Sequence, residues 1–256
     1  MKDTILLHIG TVKSRAPRIV MFRILALETS EQAGSVAAAA DGKVLAELQL
    51  DPQQRSAQSL APAIHSLLGQ VAWHPAEIQL LAVTTGPGSF TGLRVGVATA
   101  KVLAYAIGAE ILGIGTLEAI AAAAPDEVAA LSVAVDAQRG DVVAQQFLRR
   151  ASGWLEAVGS AALMPLEEWL SRLPPGFAVS GPALRKWADP RPASGYPARV
   201  TLLDRMFWHP TAASVARLAY RDYLAGHRDD LWNLLPHYSR PSAAEEKWGR
   251  RAKKEP

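Results

Sequence analysis

A glycine-rich turn between an apolar segment and a nearly uncharged helix limits the folds open to this chain more than any other feature. Leu80–Thr85 is typical of a buried strand, and Gly86-Pro-Gly-Ser-Phe-Thr-Gly92 follows it directly. Apolar residues at helical spacing then predict a helix over about 91–107. A strand that turns sharply into a helix is a unit of layered α/β folds, so we expect this fold class.

The turn itself has two interpretations. Backbone amides at a helix N-terminus attract anions, and glycine lets a ligand approach closely, so Gly86, Gly88 and Gly92 could border a phosphate. The segment lacks the Lys-Ser/Thr ending of a P-loop, however. The preferred interpretation is a rigid structural turn in which Ser89 or Thr91 caps the helix.

The same criteria predict regular elements along most of the chain. The expected strands are Phe22–Glu28, a hairpin around Asp41-Gly42 made of Ser35–Ala40 and Lys43–Leu50, Glu110–Ile114, Leu131–Val135 and Asp141–Leu148. The expected helices are Gln54–Val71, Leu117–Ala124 and Thr211–Ala225. Beyond residue 150 the chain is proline-rich and irregular, so the pattern suggests two unequal lobes.

Composition excludes several kinds of site. The chain has 256 residues, of which 49% are hydrophobic, so a sizeable core is expected. It has no cysteine, and its six histidines include no pair at the spacing of a helix-borne zinc site. The Gly-x-Ser-x-Gly motif of serine hydrolases is also absent. We therefore expect no metal and no cofactor.

The net charge of +3 lies in the tails. Residues 1–23 carry a net +4 and residues 245–256 a net +2, so the body between them is slightly acidic. This distribution disfavours strong RNA binding by the folded body, although a tRNA-binding module resting on the tails stays open. Residues 1–20 make a poor signal peptide, and charges interrupt the most apolar stretch, so we expect no membrane span.

The helix over 91–107 is apolar on most of its surface. A helix of this kind must be covered on more than its core side, either by a second lobe or by another chain. One face carries Leu93, Val97, Ala100 and Ala104, a second carries Val95, Val102 and Ala106, and a narrow stripe carries Arg94, Ala98, Lys101 and Tyr105. Elsewhere, Glu28 and Asp136 end buried strands, where a carboxylate can approach a phosphate or cap a turn.

Five segments together resemble the bacterial TsaB family, also called YeaZ. They are Ile24-Leu-Ala-Leu-Glu-Thr-Ser30, Gly86-Pro-Gly-Ser-Phe-Thr-Gly-Leu-Arg-Val-Gly96, Ala100-Lys101, Asp136-Ala-Gln-Arg-Gly140 and Pro236-His-Tyr-Ser-Arg240. The resemblance is dense over residues 22–148 and returns at 236–246. It implies the fold of the actin-like ATPase and sugar-kinase superfamily, with two ribonuclease-H-like lobes and the second one reduced.

The resemblance also implies a domain organisation and a role. Residues 1–20 would be a loose extension, 21–125 the first lobe, 126–246 the second, degenerate lobe and 247–256 a basic tail. The family acts in the cytoplasm in making threonylcarbamoyladenosine in tRNA. The chain would be a non-catalytic scaffold that binds and activates the transferase TsaD, with TsaE joining a larger complex and tRNA contacted only indirectly.

The resemblance further assigns residues. In TsaD a histidine pair holds the metal, and Thr116 and Ile120 stand at the similar places here, so a pseudo-enzyme is implied. The expected partner surface consists of Leu60, Ile64, Leu67, Arg94, Ala98, Lys101, Val102 and Tyr105, which a homodimer would also use. The alternatives left open are a metal-dependent glycoprotease-type peptidase and a nucleotide-binding homodimer with Glu28, Thr29 and Asp136 around phosphate.

Overall fold

The first sheet of the computed structural model, which describes residues 21–54, 56–185 and 200–240, contains five strands. In sheet order β3-β2-β1-β4-β5, β1 is antiparallel to β2 and β2 to β3, whereas β1, β4 and β5 are parallel. All residues of β2 and β4 are buried, because helices cover both faces of the sheet. The strands are β1 (Arg23–Glu28), β2 (Ser35–Ala40), β3 (Lys43–Gln49), β4 (Leu80–Gly86) and β5 (Glu110–Gly115).

Helices from distant parts of the chain form the layers on this sheet. Helices α1 (Ser56–Gln70) and α2 (Phe90–Ile107) pack on one face, with their apolar residues in one core cluster. After β5 comes α3 (Thr116–Ala121), whose Ala119 belongs to the cluster on the opposite face. Most of that opposite cluster comes from a helix near the end of the chain, Ala212–Leu224.

The second sheet repeats the topology of the first. Its order is β10-β9-β6-β7-β8, with β6, β7 and β8 successively antiparallel and β6, β9 and β10 parallel. The last two strands have only three and two residues, so the second lobe is reduced. The elements are β6 (Ala130–Asp136), β7 (Asp141–Arg149), β8 (Leu155–Pro165), α4 (Leu166–Ser171), β9 (Ala178–Ser180) and β10 (Thr201–Leu202), and the helix Ala212–Leu224 is α5.

The elements predicted from periodicity are confirmed with small shifts at their ends. Asp41 and Gly42 form the hairpin turn with φ of 49° and 78°, the conformation that an Asp-Gly pair favours. Helix α1 is shorter than the predicted Gln54–Val71, and α3 ends at Ala121 instead of Ala124. The strands from β8 onward were not predicted, because β8 is exposed along nearly its whole length and lacks an alternating pattern.

The predicted boundary of the second lobe at 126–246 is wrong in its last part. Helix α5 packs on β1 and β2 of the first sheet, and Leu234 lies in the core shared by α1 and α2. The second lobe therefore ends before α5, and the chain returns to the first lobe. The predicted extension 1–20 and tail 247–256 lie outside the described residues.

Among the described helices, α2 alone is long and apolar enough to cross a membrane by composition. Its inner residues Leu93, Val97 and Ala100 are buried against the sheet. Packing in a folded lobe therefore accounts for the apolar residues on one side of α2.

Candidate functional site

The start of α2 fits against the loop that follows β1. Ser89 caps the helix, since its Oγ accepts a hydrogen bond from the amide of Gly92 at 3.2 Å. A Cβ on Gly92 would overlap the carbonyl oxygen of Thr29, and one on Gly96 would overlap the Thr29 hydroxyl. These two glycines therefore serve close packing of a helix on a loop.

The turn before α2 is closed by other parts of the chain. The amide of Ser89 donates to the carbonyl of Ser30 at 2.7 Å, and a Cβ on Gly88 would lie 2.5 Å from the same oxygen. Gly86 has a φ of 124° and lies against the carbonyl of His237. Because backbone from two segments occupies the space beside these glycines, the geometry favours the structural turn over the phosphate site.

Glu28 is a fully buried carboxyl group at the end of β1. Its Oε1 accepts from the amide of Ser30 at 2.6 Å, from the Ser30 hydroxyl at 2.5 Å and from Thr84 Oγ1 at 3.4 Å. Its Oε2 has no hydrogen-bond partner among the described residues. Burial raises the pKa of Glu28 to about 8, against the lowering effect of the Ser30 hydrogen bonds. The carboxyl group is therefore mostly protonated at neutral pH and is enclosed by the chain.

The other two predicted phosphate residues are also engaged within the chain. Thr29 is fully buried beneath Gly96, where no ligand reaches its hydroxyl. Asp136 accepts from the amide of Gln138 at 3.0 Å and so caps the turn after β6. Nearby, Glu31 pairs with Arg185 at 3.4 Å, and burial raises the pKa of the Glu31 carboxyl. The two carboxyl groups of Glu31 and Asp136 thus lie close together, with Arg185 paired to one of them.

Thr116 and Ile120, which the sequence resemblance predicts to stand at the places of the TsaD histidines, face inward. Ile120 is fully buried and packs with Leu131 and Phe147 in the core beside the second sheet. Thr116 is 1% exposed, and its hydroxyl has no partner among the described residues. Apolar packing fills the position of the second histidine. Within the described ranges, no group of three or more His, Asp or Glu side chains is arranged to hold a metal.

A cleft of about 510 Å³ lies between the two lobes and was not predicted. It is bordered by the β4 turn at Gly86, by Glu118 of α3, by Gln145 of β7 and by His237. Burial raises the pKa of the Glu118 carboxyl, and Arg221 counters that effect. No local pattern predicts this cleft, because its lining comes from five separate segments of the chain.

The outer side of α2 is an exposed apolar face. Val102 and Tyr105 are 67% and 70% exposed, and Ala98, one helical turn before Val102, is exposed as well. Ordinarily such residues are scattered singly on a surface, and a contiguous patch marks a contact site. Beside this face, an apolar groove of about 210 Å³ runs between α1 and α2 and includes Leu68 and Leu103.

Three residues predicted for the partner surface are part of the chain's own core instead. Leu60 and Leu67 are at most 1% exposed, and Ile64 is also buried, all in the cluster under α1 and α2. The apolar stripe of α1 therefore faces the sheet. A partner could contact α1 only through its outward side, which carries residues such as Ala61 and His65.

The two cations of α2 are also engaged within the chain. Lys101 Nζ donates to the carbonyls of Trp232 and Leu234 at 2.9 and 3.3 Å. Arg94 Nε donates to the hydroxyl of Tyr238 at 2.9 Å, and its guanidinium stacks on Phe90. Both residues hold a segment of residues 229–240, which we call the strap, at the predicted amphipathic edge of the partner surface. Their partners lie more than 130 residues away, which no local pattern reveals.

Comparison with known proteins shows strong similarity to one family. Residues 44–223 match the sequence model of TsaD, described as tRNA N6-adenosine threonylcarbamoyltransferase. The chain is 30% identical over 230 residues to the tRNA threonylcarbamoyladenosine biosynthesis protein TsaB of Escherichia coli, covering 88% of this chain and 97% of that protein. Identity to TsaB of Bacillus subtilis is 29% over 232 residues, covering 88% and 97%.

Structural comparison agrees with the sequence comparison. The structure of YeaZ from Pseudomonas aeruginosa matches with a TM-score of 0.72 and 25% identity, covering 85% of this chain and all of that one. Together with the two sheets of identical strand order, this match confirms the two-lobe fold implied by the sequence resemblance.

Proposed function

The chain belongs to the TsaB (YeaZ) family of tRNA threonylcarbamoyladenosine biosynthesis proteins, and from this premise we propose that it is a non-catalytic subunit that binds and activates a TsaD-type transferase. Membership places the protein in the synthesis of threonylcarbamoyladenosine in tRNA. The protein would contribute a contact surface for the transferase, and it would act in the cytoplasm in a larger complex with TsaE.

The observation that carries the proposal is the exposed apolar face of α2. Val102 and Tyr105 on this side of the helix are 67% and 70% exposed, so most of their apolar surface is left in water by the folded chain. Covering it with another chain would remove this apolar surface from water, with a gain of about 25 cal/mol for each Å². Tyrosine at the centre of such a face is typical of interface cores.

The interior supports a structural rather than a catalytic role. The fully buried Ile120 fills the place that a metal-binding histidine has in TsaD with apolar packing. That replacement disfavours the metal-dependent peptidase. The nucleotide-binding homodimer loses support because Thr29 lies beneath α2 and the Glu28 carboxyl is buried with a raised pKa.

The proposal is tested by mixing the chain with TsaD from the same organism and measuring mass by light scattering on a sizing column. We expect a one-to-one complex of the wild type. Val102→Glu and Ala98→Arg should abolish the complex together with transferase activity, because each would bury an unpaired charge in the contact. Both positions are exposed, so the fold should be kept.

Met206→Glu provides the matched control. Met206 is 72% exposed but lies in the segment after β10, away from α2. This variant should bind TsaD as the wild type does. Failure of the wild type to bind TsaD, or equal loss of binding in all three variants, would contradict the proposal. A wild type that only self-associates would indicate a homodimer through the same face.

A further inference from the structure

The strap, residues 229–240, is an irregular segment that runs back over the first lobe and is fixed at several points. Leu234 is its apolar anchor, buried in the core shared by α1 and α2. Asp229 accepts a hydrogen bond from the amide of Gly113 at 2.8 Å, and the amide of His237 donates to Thr85 at 2.7 Å. Its last described residue, Arg240, pairs with Asp141 of the second lobe.

The inner side of the strap satisfies the cations of α2. Lys101 donates to two strap carbonyls, and Arg94 donates to Tyr238. These contacts hold the strap alongside the helix and use hydrogen-bonding groups of both cations within the chain.

The outer side of the strap carries large apolar side chains. Trp232 is 68% exposed and Leu235 is 65% exposed, and Tyr238 is also exposed. The Trp232 ring meets that of Tyr105 edge-on, with centroids 5.6 Å apart. This ring contact joins the exposed face of α2 to the strap, and the anchored backbone keeps both parts in one arrangement.

We propose that the strap forms the second half of the surface that docks the TsaD-type transferase, with Trp232 and Leu235 as contact residues. The identity of this partner rests on the function proposed above. The occupant must be a protein face that is apolar and uncharged at its centre, since the patch offers aromatic and aliphatic groups and both nearby cations are already bonded. Continuity with the α2 face means that one partner covers both.

The fixed backbone of the strap also lowers the entropic cost of binding a partner. Because Leu234 and the Lys101 hydrogen bonds fix the backbone, little conformational freedom is lost when Trp232 becomes covered. Tryptophan in a fixed position at the centre of a patch is a frequent source of binding energy.

The test measures affinity of the full-length chain for TsaD by titration calorimetry. Trp232→Ala and Leu235→Ala should each weaken binding at least tenfold without changing the thermal midpoint of the free chain, because both side chains are exposed. Trp232 contacts the Tyr105 ring, so its removal could also disturb the α2 face. Leu235 is aliphatic and makes no ring–ring contact, so its variant tests whether the strap itself contacts the partner. Met206→Ala is the control and should leave affinity unchanged.

The outcomes separate this inference from the proposed function. If Val102→Glu abolishes binding but both strap variants bind as the wild type, the strap inference is overturned and the α2 surface stands. If the wild type does not bind TsaD at all, the proposed function fails first. If the strap variants lose only self-association, the strap docks a second copy of the chain, and TsaD is overturned as its partner.

Discussion

At the scale of single residues, a buried acid at the end of β1 is the feature with the largest electrostatic consequence. Glu28 is fully buried, and three donated hydrogen bonds reach only one of its carboxyl oxygens. Desolvation outweighs those bonds, so its pKa rises to about 8 from an ordinary value of 4.5. The native state therefore holds a proton on Glu28 that the unfolded chain releases at lower pH.

This proton makes stability depend on pH in a defined direction. Because the folded pKa is raised, the contribution of Glu28 is fully present below pH 4.5 and is lost as pH rises towards 8. Between pH 5.5 and 7.5 the free energy of unfolding should fall by about 2 kcal/mol from this group alone. Glu28→Gln keeps an acceptor for Ser30 and cannot titrate, so it should remove that fall.

The measurement is urea unfolding of the wild type and Glu28→Gln at pH 5.5, 6.5 and 7.5. Other titrating groups, such as His209 with a pKa lowered to about 4 by burial and by Arg185, act in both proteins and cancel in the difference. The variant should gain stability relative to the wild type as pH rises. Parallel pH profiles for the two proteins would show that Glu28 is ionised in the native state.

At the scale of elements, the first lobe was largely predictable and the second was not. The Asp41-Gly42 hairpin, β4 and α2 carry local signals, because their burial pattern and turn residues are set by neighbours in sequence. Strand β8 is almost entirely exposed, and β9 and β10 have three and two residues, so no periodicity develops. Their pairing depends on contacts with β6 and β7 that sequence spacing does not encode.

The candidate site also has one part that could be predicted from the sequence and one part that could not. The outward placement of Val102 and Tyr105 follows from the helical period of α2 and was predicted. The burial of Leu60 and Leu67 was misassigned, since an apolar stripe on α1 has the same pattern whether it faces a sheet or a partner. The contribution of the strap was missed, because its bonds to Lys101 join residues far apart in the chain.

Helix α2 packs closely on the loop after β1, and this contact leads to a prediction about the stability of the protein. Gly92→Ala should lower the free energy of unfolding by about 2 kcal/mol, because its Cβ would meet the backbone oxygen of Thr29, which cannot move easily. Gly69→Ala in α1 is the matched control, as nothing lies within 4 Å of its Cβ position. That change should leave stability unchanged or raise it, since alanine favours a helix.

Thermal and urea unfolding of the two glycine variants measure the effect. If only Gly92→Ala lowers the free energy of unfolding, the role of Gly92 is close packing of α2 on the loop after β1. If Gly92→Ala folds with wild-type stability, the contact with Thr29 is looser than described.

At the scale of the whole molecule, the chain path ties the two lobes together. The chain leaves the first lobe at α3, forms the second sheet and returns to the first lobe with α5. Helix α3 is shared, since Ala119 packs in the core of the first lobe and Leu117 and Ile120 pack against the second sheet. A partner that binds the first lobe therefore meets a unit whose folding involves residues from both halves of the sequence.

This sharing predicts that both lobes unfold in one transition, and that a change in α5 destabilises both. Leu218 is 2% exposed in the core under the first sheet, and Leu218→Ala should cost about 3 kcal/mol through the cavity that it leaves. Leu224, in the same helix but 68% exposed, is the control, and Leu224→Ala should change stability by less than about 0.5 kcal/mol.

Hydrogen exchange read by mass spectrometry follows β4 and β6 separately as urea rises. We expect both strands to lose protection at the same urea concentration, and Leu218→Ala should lower that concentration for both. The reason is that α3 cannot lose its contacts with the first lobe and keep its place against the second sheet. Two separate transitions, with only β4 affected by the variant, would mean that the lobes are independent and that α5 merely covers the first sheet.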